Sequence, residues 1–138
     1  MYDKVLAAVD HSEVSGRVLA AARDLASLSK GEVWVLHLRE REVMPRLGLV
    51  PVESDADAET AVTSGVESLT AAGVRAHGEV RDTIFGHAAR EIVEDAREHD
   101  ADVIIMGSRG RGDLAGLVLG STAHKVIHLA DRPVLVIR

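Results

Sequence analysis

Short apolar runs alternate along the chain with longer stretches whose apolar residues recur at helical spacing. Residues 5–9 form a continuous apolar run, which is typical of a strand buried on both faces of a parallel sheet. Apolar positions three and four residues apart then extend from Val14 to Leu28 and predict an amphipathic helix. We expect Ser12 to be the N-cap of this helix and Gly31 to follow its last residue.

The same alternation continues to residue 137. Four further strands are predicted at 33–38, 74–80, 103–106 and 133–137, and three further helices at 55–72, 88–96 and 121–130. Residues 39–54 break the pattern, because charged residues are followed by Pro45, Gly48 and Pro51, and we interpret them as a mobile loop. Strands that alternate with helices predict a single α/β domain over residues 1–138, with a parallel sheet and helices on both of its faces.

Composition narrows the class of protein. The 138 residues are 46% hydrophobic and 28% charged, as in an ordinary soluble domain. The absence of cysteine excludes a disulfide scaffold, thiolate metal sites and cysteine nucleophiles. The longest apolar runs have about five residues, whereas a membrane span needs about 20, and no targeting segment is visible at the start. We therefore expect a cytoplasmic protein with no membrane partner.

The charge and the aromatic content argue against a nucleic-acid partner. The formal net charge is -6, so the chain lacks the basic footprint of a duplex-DNA binder. Tyr2, Trp34 and Phe85 are its only aromatic residues, which leaves too few rings for the stacking platforms of single-strand binders. We expect no nucleic-acid partner.

The segment 106–122 carries the clearest chemical signal. It contains five of the 12 glycines, follows a predicted strand and leads into the predicted helix at Ser121. Glycine lets a ligand approach the backbone closely, and the N–H groups of such a loop, together with a helix N-terminus, bind phosphate. Ser121 and Thr122 add hydroxyl donors at the helix start. The segment therefore predicts a phosphate site, and a flexible solvated loop is the alternative.

Two standard phosphate motifs do not fit this segment. The glycine spacing of 107–112 suits a P-loop, but Asp113 stands where the lysine should be, and a carboxylate beside phosphates is unfavourable. Residues 110–115 formally match the dinucleotide fingerprint, but with only one predicted strand left, no βαβ unit follows them. We therefore reject a Walker motif, and a dinucleotide site has only weak support.

The spacing of Gly107, Gly110, Gly120 and Ser121 resembles the nucleotide-binding loop of the universal stress protein family. The resemblance covers essentially the whole chain, with similar segments at 5–10, 36–38, 86–92, 101–107 and 133–136. It implies an adenine nucleotide α-hydrolase-like fold, an open doubly wound sheet of five parallel strands in the order 3-2-1-4-5. Strands 1 and 4 are then neighbours, with a crevice between their carboxyl ends. Because its loop positions are complete, the chain resembles the branch that binds ATP, with Mg²⁺ held by the phosphates.

The resemblance also implies roles for individual residues of this crevice. Asp10 would accept hydrogen bonds from both ribose hydroxyls, with a turn aspartate as the alternative, and the backbone of Leu38 would meet the adenine edge. The other implied contacts are Ala8 and Val9 around adenine, Met106 against the sugar or base, Gly107, Gly110, Gly120, Ser121 and Thr122 at the phosphates, and Arg109 and Arg111 at the terminal phosphates. Core packing is the alternative for the two adenine-slot residues, and solvent exposure for the two arginines. His11 departs from the small residue common in the family and would crowd the ribose edge.

These expectations describe a nucleotide-binding regulatory protein and not an enzyme, because the loop has no lysine and no clear water-positioning base. Slow ATP hydrolysis and cyclic AMP as the ligand are alternatives at the same site. A nucleotide-independent interaction module is the alternative from another class, because the resemblance implies a homodimer paired through Val134–Ile137 at a sheet edge.

His124 and His128 lie four residues apart on a predicted helix, where a solvated face is favoured over a metal site.

Overall fold

The computed structural model describes residues 1–110 and 119–138 of the chain. Within these residues, strands and helices alternate as the apolar pattern predicts. The strands are β1 Lys4–Val9, β2 Glu32–Met44, β3 Gly48–Pro51, β4 Arg75–Ile84, β5 Val103–Gly107 and β6 Val134–Ile137. The helices are α1 Val14–Ser29, α2 Asp55–Ala71, α3 Ala88–Glu98 and α4 Ser121–Leu129. No helix in this part of the chain combines the length and the apolar character needed to cross a membrane.

The sheet has a parallel core in the order β4-β2-β1-β5-β6. These strands correspond to the predicted order 3-2-1-4-5, so the α/β fold class is confirmed. The expectation of five strands was incomplete, because β3 adds a sixth that runs antiparallel to the last residues of β2. β2 can serve three neighbours because it is 13 residues long. β1 pairs with its first half, β3 with its last residues, and β4 runs along its other edge.

The prediction of a mobile loop at 39–54 was wrong, because most of these residues form the β2–β3 hairpin. The charges that suggested a loop are paired across strands. Arg39 lies directly opposite Asp82 of β4, and its Nε donates to Oδ1 at 2.6 Å. Arg41 Nη2 donates to Asp82 Oδ2, also at 2.6 Å. The same pairing carries β4 on to Ile84, beyond the predicted end at residue 80.

Two apolar layers cover the sheet, one on each face. Val5, Ala7 and Val9 of β1 point to the face covered by α1 and α2. Leu6 points to the opposite face, which is covered by α3 and α4, because successive strand residues alternate in direction. The largest fully buried side chains include Leu36, Leu69, Ile104, Ile105 and Val126. Helices on both faces are thus confirmed, and the carboxyl ends of the central strands are left uncovered at one edge.

A buried carboxyl group lies between α3 and β4. The Asp95 side chain is 0% exposed, and Arg81 Nη1 donates to its Oδ1 at 2.9 Å. Burial and a hydrogen bond with Glu79 raise the pKa of Asp95 to about 6. Burial also opposes ionisation of Glu79, but its hydrogen bonds with Asp95 and His99 hold the pKa of Glu79 below its usual range. As the pH falls, Asp95 is therefore protonated before Glu79.

Asp95→Asn is expected to stabilise the protein at neutral pH by roughly 1–2 kcal/mol. The amide can donate to Glu79 and accept from Arg81, as the protonated acid does. Because the pKa of Asp95 is raised in the folded state, the folded protein binds the proton more tightly, and wild-type stability falls as the pH rises from about 4 to 6. The variant has no carboxyl group at position 95 and does not lose stability in this way. The difference in stability between the variant and the wild type should therefore vanish near pH 4. Urea unfolding of both proteins at neutral pH and near pH 4 measures this difference in stability. Asp24→Asn, at an exposed position, is the control. A difference that does not change with pH would contradict a raised pKa of Asp95.

Candidate functional site

A cavity of about 550 Å³ opens at the carboxyl ends of β1, β2 and β5. Its volume is within the range of small-molecule sites, and its position is where open α/β sheets bind ligands. The predicted residues that line it are Ala8, Val9, Asp10, Leu38, Met106, Gly107, Gly110, Ser121 and Thr122. Gly120 is buried as the N-cap residue of α4 and is not part of the lining. Arg111 lies outside the described residues.

Asp10 follows β1 and is held by the turn that leads into α1. Its Oδ1 accepts from the backbone N of Ser12 at 2.8 Å, from the Ser12 hydroxyl at 2.5 Å and from the Ser15 hydroxyl at 3.0 Å. The prediction of Ser12 as N-cap was wrong: Glu13 precedes the helix and makes no side-chain cap. The Ser12 hydroxyl is bound to Asp10 instead. The carboxylate is therefore oriented by the protein before any ligand arrives.

The opposite wall of the cavity is the N-terminus of α4. Gly120 N donates to Ser108 O at 2.5 Å, and Ser108 N donates to Ile137 O at 2.7 Å. These bonds join the two ends of the glycine-rich segment to β6. They place Ser121 and Thr122, the first two residues of α4, at the cavity. The positive end of the helix dipole therefore faces the space where a phosphate is expected.

Gly107 has a packing role in addition to its place in the lining. A Cβ atom at this position would lie 2.9 Å from Val14 Cγ1 and 3.2 Å from the carbonyl oxygen of Arg109. A larger residue would therefore push against the first residue of α1 as well as against a ligand. Substitution of Gly107 cannot separate ligand binding from local packing, so Asp10 is the better probe.

The third wall comes from the β2–β3 hairpin and was missed in the sequence, because residues 39–54 were interpreted as a loop. The lining residues there are Glu40 and Glu42 of β2, Val52 and Glu53 just after β3, and Phe85 just after β4. Burial, followed by repulsion from Glu42 and Glu53, raises the pKa of Glu40. The one available sequence signal was the i, i+2 spacing of Glu40 and Glu42, which puts both on one face of a strand. This wall is acidic and suits a base or a cation better than a phosphate.

Glu53 joins two histidines at the rim of the cavity. Its Oε2 lies 2.5 Å from His11 Nε2, and its Oε1 contacts His37 Nε2. His37 is 3% exposed, and its Nδ1 lies 3.0 Å from the carbonyl oxygen of Val9. Burial opposes ionisation of Glu53, but the hydrogen bonds from His11 and His37 outweigh it and hold the pKa of Glu53 below its usual range. The cluster ties the segment after β3 to the turn after β1 and to the middle of β2.

By its architecture the chain is an open α/β protein with a cavity at the carboxyl ends of central strands. The family model described as Universal stress protein family matches residues 1–138, so the chain belongs to the universal stress protein family. It is 34% identical over 148 residues to the universal stress protein YxiE of Bacillus subtilis, and the match covers 100% of both chains.

Two solved structures of archaeal proteins share the fold. That of MJ0577 from Methanocaldococcus jannaschii superposes with a TM-score of 0.81 at 25% identity, over 99% of this chain and 96% of that one. That of the universal stress protein from Archaeoglobus fulgidus in complex with dAMP superposes with a TM-score of 0.75 at 27% identity, over 100% and 98%. The second relative thus binds an adenine nucleotide.

Proposed function

We propose that the protein binds one molecule of ATP per chain in the cavity between β1 and β5, and that it acts as a regulatory protein through occupancy of this site. The observation that carries the proposal is the convergence of residues from β1, β2, β5 and α4 on one cavity of about 550 Å³. The dAMP complex of the Archaeoglobus fulgidus relative supports the class of ligand.

The base is proposed to lie between the end of β1 and the middle of β2. β1 pairs with β2 only as far as Val9↔His37, and pairing with β3 begins at Arg41. Leu38 therefore lies between the end of the β1–β2 ladder and the start of the β2–β3 ladder, on the edge of β2 that faces β1 and β3. A backbone group in such a gap can bond to the edge of a planar base. Ala8 leaves room beside it because its side chain is small.

The phosphates are proposed to lie at the N-terminus of α4, with Mg²⁺ bound to their oxygens. Ser121 and Thr122 offer hydroxyl and backbone donors there, and Gly110 admits close approach of the backbone. Arg109 is the one arginine or lysine among the lining residues that the structure describes. A single arginine supports binding of the phosphates better than it supports phosphoryl transfer, which needs several positioned charges and an oriented nucleophile. Arg111 remains a predicted contact.

Native mass spectrometry of the freshly purified protein tests the proposal, with the released small molecule identified after denaturation. We expect one adenine nucleotide per chain. If the protein is purified empty, titration with ATP and Mg²⁺ should saturate at one molecule per chain. GTP in parallel tests the base, and AMP and cyclic AMP test the number and arrangement of phosphates. Absence of binding by all four at millimolar concentration would overturn the proposal.

The same spectrum tests a proposed homodimer. β6 is the last strand of the described sheet and pairs with β5 on one side only. Leu135 of β6 is 42% exposed, and such an apolar edge favours pairing with another chain. We therefore propose that two chains pair through Val134–Ile137. A monomer at micromolar concentration would contradict this, whether or not nucleotide is bound.

A further inference from the structure

We propose that His11, His37 and Glu53 form a binding site for a transition-metal ion, with Zn²⁺ as the best match, at the rim of the cavity. The Nε2 atoms of the two imidazoles and an oxygen of the carboxylate lie within 4.8 Å of one another. This site is separate from the Mg²⁺ that ATP would carry, because it lies at the β2–β3 hairpin and not at the N-terminus of α4.

The tautomer of His37 provides the first argument. Nδ1 of His37 lies 3.0 Å from the carbonyl oxygen of Val9, which can only accept a hydrogen bond, so Nδ1 carries the hydrogen. In the neutral ring, Nε2 then has a lone pair, and it faces the carboxylate of Glu53. Two facing acceptors hold a cation between them: in the metal-free protein this is the proton of the hydrogen bond to Glu53, and a metal ion would displace that proton on binding. A backbone carbonyl that orients a ligating histidine in this way is the usual support of a metal site.

The donor set provides the second argument. Two imidazole nitrogens and one carboxylate oxygen suit Zn²⁺ and related transition metals, whereas Mg²⁺ prefers oxygen ligands and its own waters. Three protein ligands with one position open is a common arrangement for Zn²⁺. All three residues line the cavity, so the open position is accessible to water or to a donor atom of a ligand.

The positions of the ligands in the chain allow the site to adapt to an ion. His37 is buried within β2 and provides the rigid point. His11 lies between β1 and α1, and Glu53 lies between β3 and α2, so both belong to connections that can shift. Around a tetrahedral ion with bonds of about 2.0–2.1 Å, ligand atoms lie about 3.3 Å apart. The contact of 2.5 Å between Glu53 Oε2 and His11 Nε2 must therefore widen by about 0.8 Å to admit the ion.

A second cluster, formed by Glu79, Asp95 and His99, has similar spacing but a different electrostatic setting. The guanidinium of Arg81 already bonds to Asp95 at 2.9 Å and contributes to the lowered pKa of Glu79. A resident positive charge disfavours a divalent cation at that place. No arginine or lysine is bonded to Glu53 among the described residues. We therefore expect a metal ion to bind at the His11, His37 and Glu53 cluster and not at the second cluster.

The test is titration of the metal-free chain with Co²⁺, followed by visible absorption, and competition of Zn²⁺ with a chromophoric chelator, both without nucleotide. We expect one ion per chain, with the intense absorption of a low-coordinate Co²⁺ site. His11→Gln and Glu53→Gln should weaken binding at least as much as the loss of a group that merely orients a ligand does, about 10–100-fold. His37→Gln tests the third ligand if the protein tolerates it, and circular dichroism shows whether each variant is folded.

Two control variants decide where the ion binds. The double variant His124→Gln and His128→Gln removes a histidine pair of α4 whose rings are 4.8 Å apart, and His99→Gln disables the second cluster. Both should keep wild-type affinity. Loss of binding only in the α4 variant, or no binding by the wild type, would overturn the inference. Because nucleotide is absent, these results are independent of the ATP titration, and either proposal can fail alone.

Discussion

Asp10→Asn is expected to weaken ATP binding by about 10–100-fold without unfolding the protein, since hydrogen bonds to a charged group contribute about 1.5–3 kcal/mol. The ionised carboxylate accepts charge-assisted hydrogen bonds from the ribose hydroxyls, whereas the amide has no charge and one acceptor oxygen, which is needed by Ser12 and Ser15. The amide oxygen can still accept from Ser12 and Ser15, the donors that orient the side chain. Isothermal titration calorimetry of ATP binding measures the change.

The control for this substitution is Asp24→Asn, which removes the same charge from an exposed position of α1. The Asp24 side chain is 67% exposed and its partner is the neighbouring Arg23. We expect the control to bind ATP with wild-type affinity, so a loss in both variants would indicate a general charge effect. Wild-type affinity in Asp10→Asn would exclude the ribose contact and leave Asp10 as a turn residue, the alternative that the sequence also allowed.

Gly31→Ala is expected to lower the free energy of unfolding by about 3 kcal/mol, the upper part of the usual range for overpacking. A Cβ atom at this position would lie 2.3 Å from the carbonyl oxygen of Asp3 and 2.8 Å from its carbonyl carbon. These are backbone atoms at the start of the β1–β2 ladder, where Glu32 N donates to Asp3 O at 2.8 Å. They cannot move away without loss of that hydrogen bond. Urea unfolding followed by Trp34 fluorescence measures the loss.

Gly16→Ala is the matched control for Gly31→Ala. Gly16 lies inside α1, and nothing is within 4 Å of the position that its Cβ atom would take. Alanine should therefore stabilise the helix by up to about 1 kcal/mol. If Gly31→Ala lowers the free energy of unfolding and Gly16→Ala raises it, the close contact with Asp3 is the cause of the loss. A change of less than about 1 kcal/mol in Gly31→Ala would contradict the packing argument.

The glycine at position 31 illustrates how far sequence reasoning reaches. Its location just after α1 was predicted correctly, because glycine is common at helix ends. The reason is different in the structure. Lys30 takes the left-handed conformation with a φ of 57°, and Gly31 is needed for the space beside Asp3. A helix end is a local feature, whereas the contact with Asp3 depends on the pairing of two strands.

The resemblance to the universal stress protein family implied the strand order and the crevice at the carboxyl ends of strands 1 and 4. The alternation of apolar runs and helical stripes was by itself sufficient to predict the parallel sheet and the helices on both faces. Each of these follows from short-range periodicity, since burial on one face or on both faces leaves its pattern in consecutive residues. The glycine-rich segment 106–122, between a predicted strand and a predicted helix, was predicted to bind the ligand from its composition and position. Gly120 shows the limit, since it is buried as the N-cap residue of α4 and is not part of the lining.

Only the tertiary structure showed the acidic wall and the histidine cluster. Glu53 meets His11 across 42 residues and His37 across 16, and Asp82 meets Arg39 across 43. None of these pairs has a periodic signal, because each depends on the register of β2 with β1, β3 and β4. The charged side chains of residues 39–42 are the same whether these residues form a loop or a strand. Which of the two they form is decided by partners distant in sequence, and those partners also determine what this wall of the cavity can bind.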